Sequence, residues 1–448
     1  MKKSRFAGLT LSAALMLSGV VMMPADFGGQ VTAEAAKPGN PAAFDQKVIS
    51  RIDADRIYAD VHHLSETIGP RVAGTAEERE AAALIRERLE SYGYEVEVQE
   101  FSIPDTMTGH LATSNGDEVE ASFPSGSAET PEEGLTAPLY DAGLGSPAEF
   151  TAEAEGKIAL ISRGGFAFRE KIDNAAAAGA VGVIIYDNSE ASGPPNMSIG
   201  EDAPLPVAGI KKVSGEALLE DVVSTGGTVT LKVDAITGQT SQNIIATRAP
   251  KHVSNPDIVH VSAHFDSVPL APGASDNATG TATALEIARV LKSYPIDKEV
   301  RFAFVGAEEI GLVGSAHYVS TLTEDEVSRS IGNFNMDMVG TAWENATAIF
   351  MNTLDGQPNA VTEAALAAQD RIGTPSELIL YQRGASDHVN FHEAGIPAVN
   401  FIRREPGTAA LEPYYHTPQD TIEHVSKERL KEAGDLVGSA LYSVIRKN

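Results

Sequence analysis

IVHVSAHFDSVPLAPGASDNATGTATALEIARVLK (258–292) is the stretch that decides the fold. It opens on an apolar run of strand length, Ile258–Ala263. It closes on a helical pattern over Thr279–Lys292, in which Ala284, Ile287, Ala288 and Leu291 recur at i, i+3, i+4 and i+7. Between the two lie His264, Asp266 and Asp276, the last inside Gly-Ala-Ser-Asp-Asn-Ala-Thr-Gly (273–280). Strand, polar loop and helix in sequence form the unit of an α/β sheet. Such sheets bind ligands beyond the carboxyl ends of their strands.

The same alternation continues downstream. Val300–Val305, a helix after Gly311, Ile331–Met336 and Ala398–Ile402 follow in turn. A last amphipathic helix starts near Lys427 and carries Leu430, Ala433, Val437, Leu441 and Val444 on one face. The pattern predicts an α/β fold with a mixed, mainly parallel sheet flanked by helices. Upstream, residues 55–104 read as helix, loop, helix and strand. Thr75 and Glu78 suggest a capping box, Ile85, Leu89 and Tyr92 a buried stripe, and Gly93 a stop. Residues 105–246 have another texture, with many Gly, Pro, Ser and Thr, short β-type runs and one Ala-rich helix near Lys171–Ala178. The expected organisation is one α/β domain made of 36–104 and 247–448, interrupted by a β-rich insert at 105–246.

Composition narrows the chemistry. The chain has 448 residues and no cysteine, which removes disulfides, thiolate metal sites and a Cys nucleophile. With 34 basic and 62 acidic residues, the formal charge is −28. A nucleic acid or an anionic membrane needs a basic face, so neither is an expected partner. Lys2, Lys3 and Arg5 precede an uncharged run, Phe6 to Met23, and Ala33-Glu34-Ala35 offers a cleavage site. These features predict a secretory signal peptide at 1–35 and an extracellular protein. What remains is long enough for two domains of about 150 residues or more and does not need disulfide staples.

The strand ends carry residue types that bind metal. His264 and Asp266 follow Ile258–Ala263, and Asp276 precedes the next helix. Glu308 and Glu309 follow Val300–Val305, Asp337 ends Ile331–Met336, and His416 comes shortly after Ala398–Ile402. Taken singly, an Asp after a strand is an ordinary helix cap, and a His an ordinary core or surface residue. Here five segments deliver ligand types to one sheet edge. His62, His63, His110, His252, His260, His317, His392 and His424 lack that setting. Imidazole and carboxylate without thiolate suit zinc. The set is too large for one catalytic zinc and fits two ions about 3.5–4 Å apart that share a carboxylate. Of the adjacent glutamates, one can ligate while the other moves protons. Asp266 is placed to hold the second nitrogen of His264.

At these motifs the sequence resembles the secreted co-catalytic di-zinc aminopeptidases, in the bacillus-type form with an inserted protease-associated domain. The resemblance is carried by His-Phe-Asp-Ser (264–267), Gly-Ala-Ser-Asp-Asn-Ala-Thr-Gly (273–280) and Gly-Ala-Glu-Glu-Ile-Gly-Leu-Val-Gly-Ser (306–315). Asn-Met-Asp-Met-Val-Gly (335–340), Ser-Asp-His-Val-Asn-Phe (386–391), Tyr-His-Thr-Pro-Gln-Asp-Thr (415–421) and Gly-Pro-Arg-Val-Ala-Gly-Thr (69–75) complete it. It implies a zinc exopeptidase fold. His264 and Asp337 would hold one Zn2+, and Glu309 and His416 the other. Asp276 would bridge both and be followed by a cis peptide to Asn277. Glu308 would be the general base working on a metal-bridging hydroxide, Tyr415 would stabilise the oxyanion, and Asp266 would assist.

Asp387 and His388, with Ser386, would lie on a substrate-side loop. The implied substrates are peptides with a free N-terminus. The insert resembles a protease-associated domain through Gly-Lys-Ile-Ala-Leu-Ile-Ser-Arg-Gly (156–164), Phe168, Lys171, Asn174 and Ala-Gly-Ala-Val-Gly-Val-Ile-Ile-Tyr (178–186), with Phe166 where many relatives have Cys. A carboxypeptidase or dipeptidase on the same scaffold stays open at this stage, as does a non-catalytic receptor-like ectodomain. Oligomeric state and side-chain preference are not read from the sequence.

Overall fold

A computed structural model describes residues 41–189, 193–195 and 197–447. The expected signal segment, 1–35, lies outside the described residues. None of the described helices is long and apolar enough to cross a membrane.

The larger sheet has eight strands. Their order is Glu95–Ser102, Thr240–Arg248, Glu299–Val305, Ile258–His264, Ser330–Met336, Ala398–Arg404, Ala348–Thr353 and Leu378–Gln382. Ile258–His264 runs parallel to both its neighbours, and Ser330–Met336 runs parallel to Ala398–Arg404. The carboxyl ends of these four central strands therefore share one edge. Antiparallel pairs occur toward the margins, as between Glu95–Ser102 and Thr240–Arg248. The sheet is mixed and mainly parallel at its centre, as the alternating pattern predicts.

Helices cover both faces. Side chains alternate along each strand. Phe302 and Phe304 thus join a core with Ile57, Ile85, Leu285 and Leu436, while Ala303 and Val305 join another with Tyr318 and Phe391. The helix Thr279–Leu291 is the most enclosed, with every residue but Arg289 buried. Its first turn follows Asp276 directly, so the packing of this helix sets the height of that carboxylate.

A second sheet of seven strands draws on the residues between these parts. Its order is Thr106–Thr113, Thr228–Ile236, Leu135–Asp141, Ile158–Ser162, Gly182–Tyr186, Val207–Ile210 and Ala121–Ser122. Ile158–Ser162 and Gly182–Tyr186 are parallel and joined by the helix Phe168–Ala177. Lys171 on that helix is fully buried and donates to the carbonyls of Leu144, Ser162 and Gly164, so it ties three loops together. The larger sheet takes the chain back at Thr240, a few residues before 247.

Some elements were not read from the sequence, namely the strands Ala348–Thr353 and Leu378–Gln382 and the helices Glu324–Arg329, Ala360–Ile372 and His388–Glu393. The capping box at Thr75 is only half made. Thr75 Oγ1 accepts from Glu78 N at 3.3 Å, but the Glu78 carboxylate accepts from Gly74 N at 2.6 Å and from the Ser241 hydroxyl. Glu78 is buried and fastens its helix to the strand Thr240–Arg248 instead of closing on its own cap.

Gly280 shows how tightly the enclosed helix is seated. A Cβ there would fall inside contact distance of the Met336 carbonyl oxygen and the Asn277 side chain. Backbone cannot retreat as a flexible side chain can. Gly280→Ala should therefore cost about 1–3 kcal/mol. Scanning calorimetry should show this as a lowered Tm.

Candidate active site

The four central strands deliver their terminal side chains to one cleft. His264 is the last residue of its strand, and Asp337 directly follows Ser330–Met336. Glu308 and Glu309 sit three and four residues beyond Glu299–Val305. Asp276 and His416 arrive from loops. The cleft is lined by His264, Asp276, Glu308, Glu309, Asp337 and Tyr415, together with Met338, Arg383, Ala385, Ile402, Arg404 and Leu411.

Asp276 is the centre of the arrangement. Its Oδ1 lies 3.2 Å from His264 Nε2, and its Oδ2 lies 3.0 Å from His416 Nε2. A second carboxylate stands beside each imidazole. Asp337 Oδ1 is 3.7 Å from His264 Nε2, and Glu309 Oε2 is 3.0 Å from His416 Nε2. His264, Asp276 and Asp337 can together hold one ion, and Asp276, Glu309 and His416 another. A third grouping joins His264, Glu308 and Glu309. Glu309 Oε1, Asp337 Oδ1 and His416 Nε2 are buried without a hydrogen-bond partner. Buried polar atoms are rarely left so. Donor atoms that converge yet do not satisfy one another fit a metal centre. The peptide between Asp276 and Asn277 is cis.

The charges are strained against burial. Burial opposes protonation of His264, but Glu308, Asp266, Asp276 and Asp337 outweigh it and hold the ring well above the usual imidazole value. His416 is likewise raised, to about 10, because Glu309 and Asp276 overcome its burial. Glu309 is pushed up to about 7 by burial and by the Asp276 charge. Glu308 rises well above the carboxylate range through burial, with His264 opposing and Glu309 and Asp387 adding. Glu308 and Glu309 thus feel neighbouring carboxylates away from water, whereas Asp276, though burial opposes it, is held below the usual carboxylate range by His264 and His416.

Two further carboxylates hold the segments that carry these groups. Asp266 is fully buried, and its two oxygens accept from Glu308 N and Glu309 N, each at 3.1 Å. Its Oδ1 also lies 3.5 Å from His264 Nδ1. Asp420 performs the same task opposite, accepting from Ser275 N at 2.7 Å and Asp276 N at 3.0 Å. Asp420 lies in the 415–421 motif, where its sequence context carries no sign of this task. The same holds for Arg71 of the 69–75 motif, which is fully buried and donates to the carbonyls of Leu64, Gly69, Phe265, Pro272 and Gly273. That single guanidinium pins the loop between His264 and Asp276.

Tyr415 lines the cleft with its ring stacked on His416 at 3.7 Å between centroids. Asp387 and His388 are both fully buried. His388 Nε2 lies 2.9 Å from the Arg383 carbonyl, and Ser386 accepts from Asn335 Nδ2 at 2.8 Å. The members of this loop that line the cleft are Arg383 and Ala385. Of the eight histidines set aside, His260 is a core residue. Burial lowers it to about 3, and its ring lies between the hydroxyls of Tyr318 and Ser330.

The sequence pattern of Peptidase family M28 matches residues 243–441, and that of the PA domain matches 131–218. Aminopeptidase YwaD of Bacillus subtilis (strain 168) is 50% identical over 439 residues, which span 98% of this chain and 93% of the relative. The chain belongs to peptidase family M28. Among solved structures, BSAP, a zinc aminopeptidase from Bacillus subtilis, superimposes with a TM-score of 0.83 at 53% identity. That match covers 89% of this chain and 96% of the other. The aminopeptidase from Aneurinibacillus sp. strain AM-1 matches with a TM-score of 0.68 at 40% identity, over 90% of this chain and 97% of its own. The family and the PA insert are those expected from the motifs.

Asp420 offers a direct check on the built cleft. In Asp420→Asn, one acceptor oxygen facing a backbone N–H becomes an NH2 donor. Asp276 should lose its fixed position, and zinc affinity or activity should fall about 10–100-fold. Zinc content after dialysis against a graded chelator series measures it.

Proposed function

We propose that the protein removes N-terminal residues from peptides with two zinc ions, one held by His264 and Asp337, one by Glu309 and His416, and both shared by Asp276. It is a zinc-dependent aminopeptidase, a hydrolase of its family. The observation that carries the two-ion reading is Asp276, whose two oxygens each face a different imidazole with a further carboxylate alongside. When bound, the metals lower the pKa of water and polarise the scissile carbonyl.

The chain's own residues supply the rest. Glu308 lines the cleft and belongs to neither Asp276-centred group. It accepts the proton of the attacking water and returns it to the leaving amine. The raised pKa of this buried carboxyl suits a group that must carry a proton between two steps. Asp266 holds Glu308 and Glu309 through their N–H groups, so the base and a ligand move as one piece. Tyr415 keeps its phenol proton, because burial and the surrounding carboxylates raise it above its usual range. It donates to the developing oxyanion. Asp387 and His388 act from behind the cleft wall, with His388 holding the Arg383 carbonyl. The catalytic part comprises the larger sheet and its helices, and the smaller sheet is the PA insert. Residues 1–35 direct secretion, so the extracellular form should begin near Ala36.

Two measurements test this reading. Glu308→Gln should lower kcat about 10²–10⁴-fold with the zinc content unchanged. Loss of zinc instead would show that Glu308 is a ligand. Chelator should abolish release of 4-nitroaniline from Leu-4-nitroanilide, zinc should restore it, and the N-acetylated substrate should stay intact throughout. Cleavage of N-blocked peptides with a free C-terminus would favour a carboxypeptidase.

A further inference from the structure

Arginine pairs stand out in so acidic a chain. Arg403 is fully neutralised: it donates to Glu432 at 2.7 Å, to the Ser376 hydroxyl at 3.1 Å and to the Val339 carbonyl at 3.0 Å. Its neighbour Arg404 leaves the strand on the other side and lines the cleft. Arg404 is 4% exposed. Its Nη1 donates to the Ala409 carbonyl at 2.8 Å, and its Nε is buried without any partner. Arg383 lines the same cleft from the loop after Leu378–Gln382. Among the described residues, neither guanidinium forms an ion pair.

Burial and the nearby Arg383 bring Arg404 down to about 10, with Asp337 acting against them. A guanidinium cannot escape by losing its proton near neutral pH. A buried, unpaired cation is costly to keep. Asp337 is no stable counter-charge for it, since that carboxylate faces His264 as a metal ligand. The cleft wall beside the two arginines is apolar, built by Met338, Ile402 and Leu411. An aliphatic stem ending in a carboxylate matches both parts of that surface.

We propose that Arg404, with Arg383, forms a carboxylate-binding subsite for the side chain of the substrate's first residue, so that the enzyme accepts peptides beginning with Glu or Asp. This rests on the aminopeptidase reading above. Arg404 is the specificity-determining residue and presents its Nε, and Arg383 adds charge at the mouth. The chain's net charge of −28 acts at long range and disfavours anions before contact. The local pair decides what is held once inside.

The test uses the zinc-loaded enzyme and the 4-nitroanilides of Glu, Gln, Leu and Lys. Glu should exceed its neutral isostere Gln in kcat/KM by about tenfold or more. Arg404→Met should lower the Glu-to-Leu ratio about a hundredfold. Arg404→Lys should recover part of it. Free L-glutamate should inhibit competitively, with a Ki that rises in Arg404→Met in step with the lost ratio. Arg404 is buried, so its loss can harm folding. Arg383→Met alters an exposed side chain and should lower the same ratio about tenfold.

Equal rates on Glu and Gln in the unaltered enzyme would overturn the proposal. So would equal losses on Glu and Leu in Arg404→Met and Arg383→Met, which would make the arginines general supports of the cleft. A preference for Leu-Gly over Leu-Gly amide that vanishes in Arg404→Met would place the carboxylate site on the leaving side and overturn the assignment to the first residue. Cleavage of Leu without Glu sinks this inference alone. No cleavage of any of the four sinks the aminopeptidase reading.

Discussion

Everything around the cleft answers one constraint: carboxylates must be brought together out of water. Asp276, Glu308, Glu309 and Asp337 share a small space with two imidazoles. Crowding of like charge is unfavourable by itself, and burial multiplies it. The protein tolerates this because the segments are held from outside the cluster. Asp266 and Asp420 are themselves buried carboxylates, and each spends both oxygens on two successive backbone N–H groups. Arg71 lies within electrostatic reach of Asp420, Asp266, Asp276 and Glu309 and so offsets part of their charge. The clamps hold backbone rather than side chain, which leaves the ligand oxygens free for a metal.

The backbone is bent to the same end. Ala307, Met338 and His416 have positive φ, at 55°, 56° and 57°, although none is glycine. The first precedes the glutamate pair, the second follows Asp337, and the third is itself in the cleft. Such conformations are costly and persist only where the surroundings impose them. The surroundings here include a buried polar layer below the site. Ser262 donates to Asn335 and Asn333, and Asn335 donates to Ser386 and Asn400. That layer joins three central strands to the loop carrying Arg383 and Ala385. A shift in any of these strands would be felt at the cleft wall.

This division explains what could be read from the residues alone. Strand, loop and helix around His264 are local patterns, and the ligand types stand at strand ends, where the topology of the fold makes them meaningful. The clamping residues give no such signal. Asp420 in sequence is indistinguishable from a solvated aspartate, because its acceptors face N–H groups 144 and 145 residues away. Glu78 had a local explanation as half of a capping box, and a distant serine displaced it. The strand Leu378–Gln382 carries only a four-residue apolar run, Leu378 to Tyr381, and is partly buried at a sheet margin; so short a run does not by itself separate strand from helix. Its pairing with Ala348–Thr353 settles it, and pairing is a tertiary fact.

Charge shows the limit of composition most clearly. A net −28 describes the far field of the molecule and argues against anionic partners. The cleft sets both signs side by side, with four carboxylates and the guanidiniums of Arg383 and Arg404 in its lining. Its acidic groups Asp276, Asp337 and Glu309 face the imidazoles of His264 and His416, while Arg383 and Arg404 form no ion pair among the described residues. On the two-zinc reading proposed above, metal would neutralise these carboxylates and leave the charge of Arg383 and Arg404 uncompensated at the cleft wall. A surface excess of negative charge and a positive pocket are compatible because the first acts over a screened distance and the second by contact. On the readings proposed above, the groups beyond three central strands would set which bond is broken, and Arg404 at the end of a fourth, with Arg383, would set which residue is presented to it.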